Sequence, residues 1–157
     1  MKISIGADHA GYSMKNKVIN FVKDLGHIVI DNGTFSSDPV DFPDIARKVC
    51  MQIREASADR GIMVCGTGIG ASIACNKYPG IRAALAHDCH CAHQCVEHDN
   101  ANVLCIGAWI IGFKLAEEII RNYLEAEFSK ETQFRRRVKK LEELEEWAAR
   151  EVLSKFK

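Results

Sequence analysis

Arg60-Gly61-Ile62-Met63-Val64-Cys65-Gly66-Thr67-Gly68-Ile69-Gly70-Ala71-Ser72 is the stretch on which the fold turns. A short apolar run ends in a cysteine, glycines follow at every second position, and a helical pattern then begins. An apolar run bounded by turn signals reads as a buried strand. A strand that breaks into a glycine turn and then a helix leaves backbone N–H groups free at its carboxyl end. Those groups, with the helix dipole, stabilise negative charge. The residue at the lip is Cys65, and a thiol beside a helix N-terminus is expected to have a lowered pKa, which suits a base or a nucleophile. The segment therefore sets a proton acceptor beside an anion hole. The competing reading is a tight strand–helix turn whose glycines serve packing alone. The spacing is not the dinucleotide fingerprint, which needs G-x-G-x-x-G.

Outward from this stretch, short apolar runs alternate with longer amphipathic ones. Lys2–Gly6, His27–Asp31, Gly61–Cys65, Ile81–Ala86 and Val103–Gly107 read as strands. Tyr12–Leu25, Phe42–Ala56, Ala71–Lys77, Cys89–His98 and Gly112–Leu124 read as helices. This alternation predicts an α/β fold, a parallel sheet with helices on both faces. Ligands of such sheets bind outside the carboxyl ends of the strands. The rule collects Gly6–His9, Cys65–Gly70, His87-Asp88 and Gly107–Trp109 on one rim.

The chain has 157 residues, of which 47% are hydrophobic, enough for one domain with a sizeable core. The sheet portion spans about 1–124 and a helical tail about 131–156. Positive and negative side chains balance at 21 each, which argues against a general nucleic-acid binder. No apolar run reaches the length of a membrane span. The start, Met1-Lys2-Ile3-Ser4-Ile5-Gly6, reads as a strand rather than a signal peptide. The seven cysteines are then expected to be reduced thiols of a cytoplasmic protein.

The tail carries a basic block, Arg135-Arg136-Arg137-Val138-Lys139-Lys140, and then an acidic one, Glu142-Glu143-Leu144-Glu145-Glu146. Phe134, Val138, Leu141, Ala148 and Val152 form a narrow apolar stripe at helical spacing. A long helix after a complete sheet is expected to pack on a neighbouring subunit; the alternative is a solvated helix laced with ion pairs. The basic block is balanced at once by acids, so binding one anionic group of a small ligand is a simpler use than nucleic acid.

Asp8-His9 follows the first strand, and an acid with an imidazole there can bind hydroxyls, move protons or hold an anion. His98-Asp99-Asn100 closes the fourth helix with a second imidazole, and spacing does not say which rim it serves. Cys91, Cys95 and His98 share one helical face at i, i+4, i+7, a conceivable zinc set. No second ligand cluster closes it, so Cys91 and Cys95 read better as small core residues, and no metal or cofactor is expected.

Gly6-Ala7-Asp8-His9-Ala10-Gly11, Asp31-Asn32-Gly33-Thr34, Val40-Asp41-Phe42-Pro43, Cys65-Gly66-Thr67-Gly68-Ile69-Gly70, Asn76-Lys77, Gly80-Ile81-Arg82-Ala83 and Ala101-Asn102-Val103-Leu104 occur in this order. Together they resemble the ribose-5-phosphate isomerase B family, which includes galactose-6-phosphate isomerase subunits and tetrose-phosphate isomerases. The resemblance runs from Met1 to about Glu146. It implies a Rossmann-like three-layer sandwich, a homodimer or homotetramer with active sites shared between subunits, and metal-independent aldose–ketose isomerisation through an enediolate, chemistry of the pentose phosphate pathway. It also implies roles. Cys65 matches the base that moves a proton between C1 and C2, and Gly66, Thr67, Gly68, Ile69 and Gly70 the anion hole, with Thr67 assisting at the oxygens. Asp8 and His98 match residues of ring opening and sugar hydroxyls, and His9 and Arg137, with Arg136, match phosphate contacts.

The chain departs from the family pattern at three places. His98-Asp99-Asn100 stands where His-Asn-Asp is common, so Asp99 replaces a substrate-binding amide. Trp109 and Gln133 stand where arginines are usual. The reaction type is intact while the substrate is open: ribose 5-phosphate leads, and a tetrose phosphate such as erythrulose 4-phosphate, a hexose 6-phosphate or non-catalytic binding of a sugar phosphate are the alternatives.

Overall fold

A computed structural model describes residues 1–155. The elements run β1 (Lys2–Ala7), α1 (Tyr12–Asp24), β2 (Ile28–Asp31), α2 (Phe42–Arg54), β3 (Arg60–Cys65), α3 (Ile69–Cys75), β4 (Ala83–Leu85), α4 (Cys89–Asp99), β5 (Val103–Gly107), α5 (Phe113–Glu125) and α6 (Thr132–Ser154). Phe156, the expected end of the tail, lies outside the described residues. The five strands form one all-parallel sheet in the order β2-β1-β3-β5-β4. This is the parallel α/β sheet that the alternation predicts and the Rossmann-like sandwich that the family resemblance implies.

Alternation along each strand divides the core. Ile3, Ile5, Ala7, Ile62, Val64, Leu104 and Ile106 face a cluster built with Val18, Val22 of α1, Val96 of α4 and Ile119, Ile120 of α5. Met63, Cys65, Val103 and Cys105 face the other way, onto Ile45, Val49, Cys50 of α2 and Ala71, Ala74, Cys75 of α3. Each fully buried Ile or Val contributes about 1.5–3 kcal/mol, so β3 and β5 anchor the sheet from both sides.

Most boundaries shift by a residue or two from the sequence reading; β4 and α3 differ most, for local reasons. β4 shrinks to Ala83–Leu85 because the Arg82 N–H donates to Asn102 Oδ1 (2.8 Å) and not to a strand. α3 starts earlier, at Ile69, because Gly68 takes a left-handed conformation (φ 77°) and its carbonyl receives the Ser72 N–H. It stops at Cys75, where the Asn76 side chain donates to the Ser72 and Ala83 carbonyls.

The strand order reverses between β1 and β3, since the chain leaves β1 toward β2 and returns on the other side. Loops diverge at such a switch point and leave a crevice. Gly11 closes its floor: a Cβ there would lie 2.1 Å from the Val64 carbonyl oxygen. Backbone cannot yield as a side chain can, so Gly11→Ala is expected to destabilise the fold by about 3 kcal/mol, read as a lower urea midpoint with unchanged slope.

Candidate active site

At the mouth of this crevice the Cys65 thiol donates to Asp8 Oδ2 at 2.7 Å. Asp8 is held in turn by the Gly11 N–H, which donates to Oδ1 at 2.9 Å. Both residues are nearly buried, at 8% and 4% exposure. Asp8 leaves β1 and Cys65 ends β3, so the contact depends on the pairing of those two strands. Its backbone is fixed as well: the Asp8 N–H donates to the Val64 carbonyl.

The expected lowering of the Cys65 pKa does not occur. Burial pushes the thiol up, and Asp8 pushes it further by hydrogen bond and by charge. The amides of Gly68 and Gly66 face the sulfur and pull the other way without prevailing. α3 is only seven residues long, so its dipole is weak. The turn amides themselves carry the anion-stabilising character of the segment.

The walls come from three elements. Thr67 Oγ1 accepts from the Ile69 N–H at 3.3 Å, tightening the glycine turn. Trp109, after β5, lies flat on the turn, its ring 2.8 Å from where a Gly66 Cβ would sit, and it is 72% exposed. The Ala108 and Trp109 amides donate to the Cys65 and Gly66 carbonyls at 2.8 and 3.0 Å. Phe42 of α2 plays the matching part beneath Gly70, 2.9 Å from its missing Cβ. Exposed His9 accepts from the Val40 N–H at Nδ1 (3.3 Å). Asp8, His9, Cys65, Gly66, Thr67, Gly68, Ile69, Gly70 and Trp109 thus share the rim.

His98, Asp99, Arg136 and Arg137 do not. α4 runs back from the rim, and its last turn meets the start of β5 at the opposite end of the sheet. An eleven-residue helix spans about 16 Å, so one protomer keeps His98 away from Cys65. At that pole His98 stacks on Phe134 of α6 with ring centroids 3.9 Å apart. The Arg137 guanidinium lies over the same ring, 5.7 Å from the Phe134 ring centre. Asp99, Gln133 and Arg136 are exposed nearby along α4 and α6. The chain therefore presents two polar clusters, one at each end of its sheet.

Cys91, Cys95 and His98 form no ligand set. Cys91 is exposed, which corrects the sequence reading of it as a small core residue. Cys95 turns its thiol to the Ala92 carbonyl (3.2 Å), and burial pushes it up to about 11. Among the described residues no group of His, Cys, Asp and Glu is arranged to hold a metal ion.

Sequence reasoning missed Lys15 and Phe42. Lys15, 1% exposed, donates to both Asp31 oxygens (2.7 and 2.8 Å), and Asp31 also accepts from the Gly33 N–H. This pair ties α1 to the turn whose Gly33 and Thr34 backbones bond Ala7, just before Asp8. A lysine at a core-facing helical position with an aspartate ending the next strand was the available signal.

Removing the Asp8 charge takes away two causes of the raised Cys65 pKa. In Asp8→Asn, the pH dependence of Cys65 alkylation, followed by peptide mass spectrometry, is expected to move to lower pH. A midpoint that stays or rises would contradict the assignment.

Comparison with known proteins agrees with this geometry. Residues 3–141 match the Ribose/Galactose Isomerase family. The chain is 40% identical over 129 residues to a ribose-5-P isomerase B of Listeria innocua, covering 82% of this chain and 87% of that one. It is 41% identical over 132 residues to a D-erythrulose-4-phosphate isomerase of Pectobacterium atrosepticum, covering 82% and 85%. It superposes on the Clostridium thermocellum ribose-5-phosphate isomerase B structure with a TM-score of 0.92, 43% identity, and coverage of 94% and 99%. With a thiol, a carboxylate and a ring of turn amides meeting at the switch point of the sheet, the chain belongs to the ribose/galactose isomerase family.

Proposed function

We propose that this protein interconverts ribose 5-phosphate and ribulose 5-phosphate through an enediolate, with Cys65 as the base. The observation that carries the reading is the Cys65–Asp8 hydrogen bond set against the Gly66 and Gly68 amides. The thiol proton passes to Asp8 across 2.7 Å, so the reactive sulfur anion arises without expelling charge from a dry site. The sulfur then takes the C2 proton of the open-chain aldose and returns it at C1. Negative charge develops on the carbonyl oxygen, where the turn amides of Gly66 to Gly70 are preorganised to receive it. Thr67 relays the proton between the two oxygens.

The remaining groups come from a second copy. His98 opens the sugar ring, Asp99 takes a hydroxyl, and Arg137 with Arg136 holds the phosphate together with His9 of the first copy. In one chain these groups stand at opposite ends of the sheet, and a two-fold contact brings the pole of one copy to the rim of the other. The rim carries the apolar surface such a contact needs: Ile69, Ile73, Trp109 and Ile110 are 52–72% exposed. The working unit is a homodimer, with the domain formed by the sheet and its tail together. Seven free thiols fit a reducing, cytoplasmic setting.

A second reading keeps the chemistry and shortens the sugar. Trp109 fills space over the Gly66 turn, and a tetrose phosphate needs less room.

A coupled assay over tetrose, pentose and hexose phosphates decides between these readings. Ribose 5-phosphate is expected to give the highest kcat/KM, and Cys65→Ser is expected to lose about 100-fold or more in kcat while retaining fold and ligand binding. Preference for a tetrose phosphate supports the second reading. Absence of turnover on every sugar leaves a binding protein. Truncation before Glu131 is expected to weaken both assembly, read by light scattering, and substrate affinity; a fully active truncated monomer would refute the shared site.

A further inference from the structure

We infer that His87 is a positioning residue for the isomerase reaction: its imidazole Nε2 accepts the Gly107 N–H and thereby holds the segment that carries the Cys65–Thr67 turn. The inference rests on the proposed function and assigns a part to a side chain outside the set described above.

β4 pairs with β5 from Ala83↔Val103 to Leu85↔Cys105, and the Ala86 N–H still reaches the Cys105 carbonyl at 3.2 Å. The next rung falls to Gly107. Its buried N–H goes instead to His87 Nε2 at 3.0 Å. Without that acceptor a buried amide is left unpaired.

Gly107 is the residue that touches the catalytic turn from behind. It stands opposite Cys65 in the β3–β5 register. A Cβ on it would lie 2.8 Å from the Thr67 carbonyl carbon and oxygen and 2.9 Å from the Gly66 oxygen. The two residues after it donate to the Cys65 and Gly66 carbonyls, and its own carbonyl receives the Ile110 and Ile111 amides. A shift of Gly107 therefore moves the peptide planes of Cys65 and Gly66, and with them the amides that face the sulfur. Anion-hole donors lose their effect when displaced by a fraction of an ångström, so the consequence belongs to the transition state rather than to substrate binding.

The contact also fixes the chemistry of the ring. An imidazole that accepts at Nε2 carries its proton on Nδ1. Glutamine, whose Oε1 reaches about as far as Nε2, can replace the acceptor; leucine fills similar space and cannot.

The test compares His87→Leu and His87→Gln on the best sugar phosphate of the panel, with thermal unfolding recorded for each. His87→Leu is expected to lower kcat about tenfold or more with KM within about threefold, and His87→Gln to recover most of the loss. Equal losses in both variants, or a loss confined to KM, would overturn the inference. His87→Met serves where His87→Leu does not fold. Histidine nitrogen NMR of the unmodified protein gives a measure independent of turnover: the Nδ1–H form with an unprotonated Nε2 is expected, and an Nε2–H form sinks the proposal. An unmodified protein inactive on the whole panel removes the proposed function and this role with it. An active one that is indifferent to His87→Leu removes this role alone.

Discussion

The Cys65–Asp8 hydrogen bond is the contact to which the architecture around the site is fitted. It requires β1 and β3 to be neighbours, and therefore requires the reversal of strand order between them. It requires the chain to leave β1 close against Val64, which only a residue without a side chain at Gly11 permits. It is made in a nearly dry place, where an unpaired carboxylate would be costly; Asp8 is tolerated because the Gly11 amide and the Cys65 thiol both donate to it. The same dryness raises the thiol above its ordinary range, so the pair keeps one proton and one negative charge together.

Around that contact the structure spends its small residues and its aromatics in a consistent way. Glycines at 66 and 68 bring backbone amides near the sulfur, and at 66, 68 and 70 a neighbour fills the place of the missing side chain: Trp109 over Gly66, Leu85 beside Gly68, Phe42 under Gly70. The turn is thus thin in itself and backed by neighbouring side chains. Trp109 pins the turn and also occupies volume above it. The ring gives the turn a flat apolar wall that carries no charge.

Most of the fold was legible because it rests on local patterns. Apolar runs at Ile62–Val64 and Val103–Ile106 can be satisfied only in the middle of a sheet, and the helices between the strands force parallel pairing. The rim was legible for the same reason, since Cys65 and Gly107 end strands and Asp8 and His87 follow closely on them. The Cys65 pKa was misjudged because proximity to a helix is a sequence feature, whereas burial and the carboxylate opposite are products of tertiary packing. Lys15 was missed because its position and the aspartate ending the next strand only suggest a pair, and the contact itself forms when α1 and β2 dock. The separation of His98 from Cys65 follows from the direction of α4, yet spacing alone did not show it.

That separation explains why the tail is built as it is. Phe134 and Val138 are buried within the chain, and Glu145 accepts the Gly80 N–H with both oxygens, so α6 is seated on its own protomer at both ends of the contact. That seating places Arg137 and the stacked His98 together on Phe134 at the far pole. A loose tail would have to be ordered on binding, at about 1–2 kcal/mol for each residue fixed. A seated one presents its cation and imidazole already arranged. If the site is divided between two copies as proposed, the cost is mainly that of association, and Ile69, Ile73 and Ile110, all more than half exposed, are apolar surface that such a contact would cover.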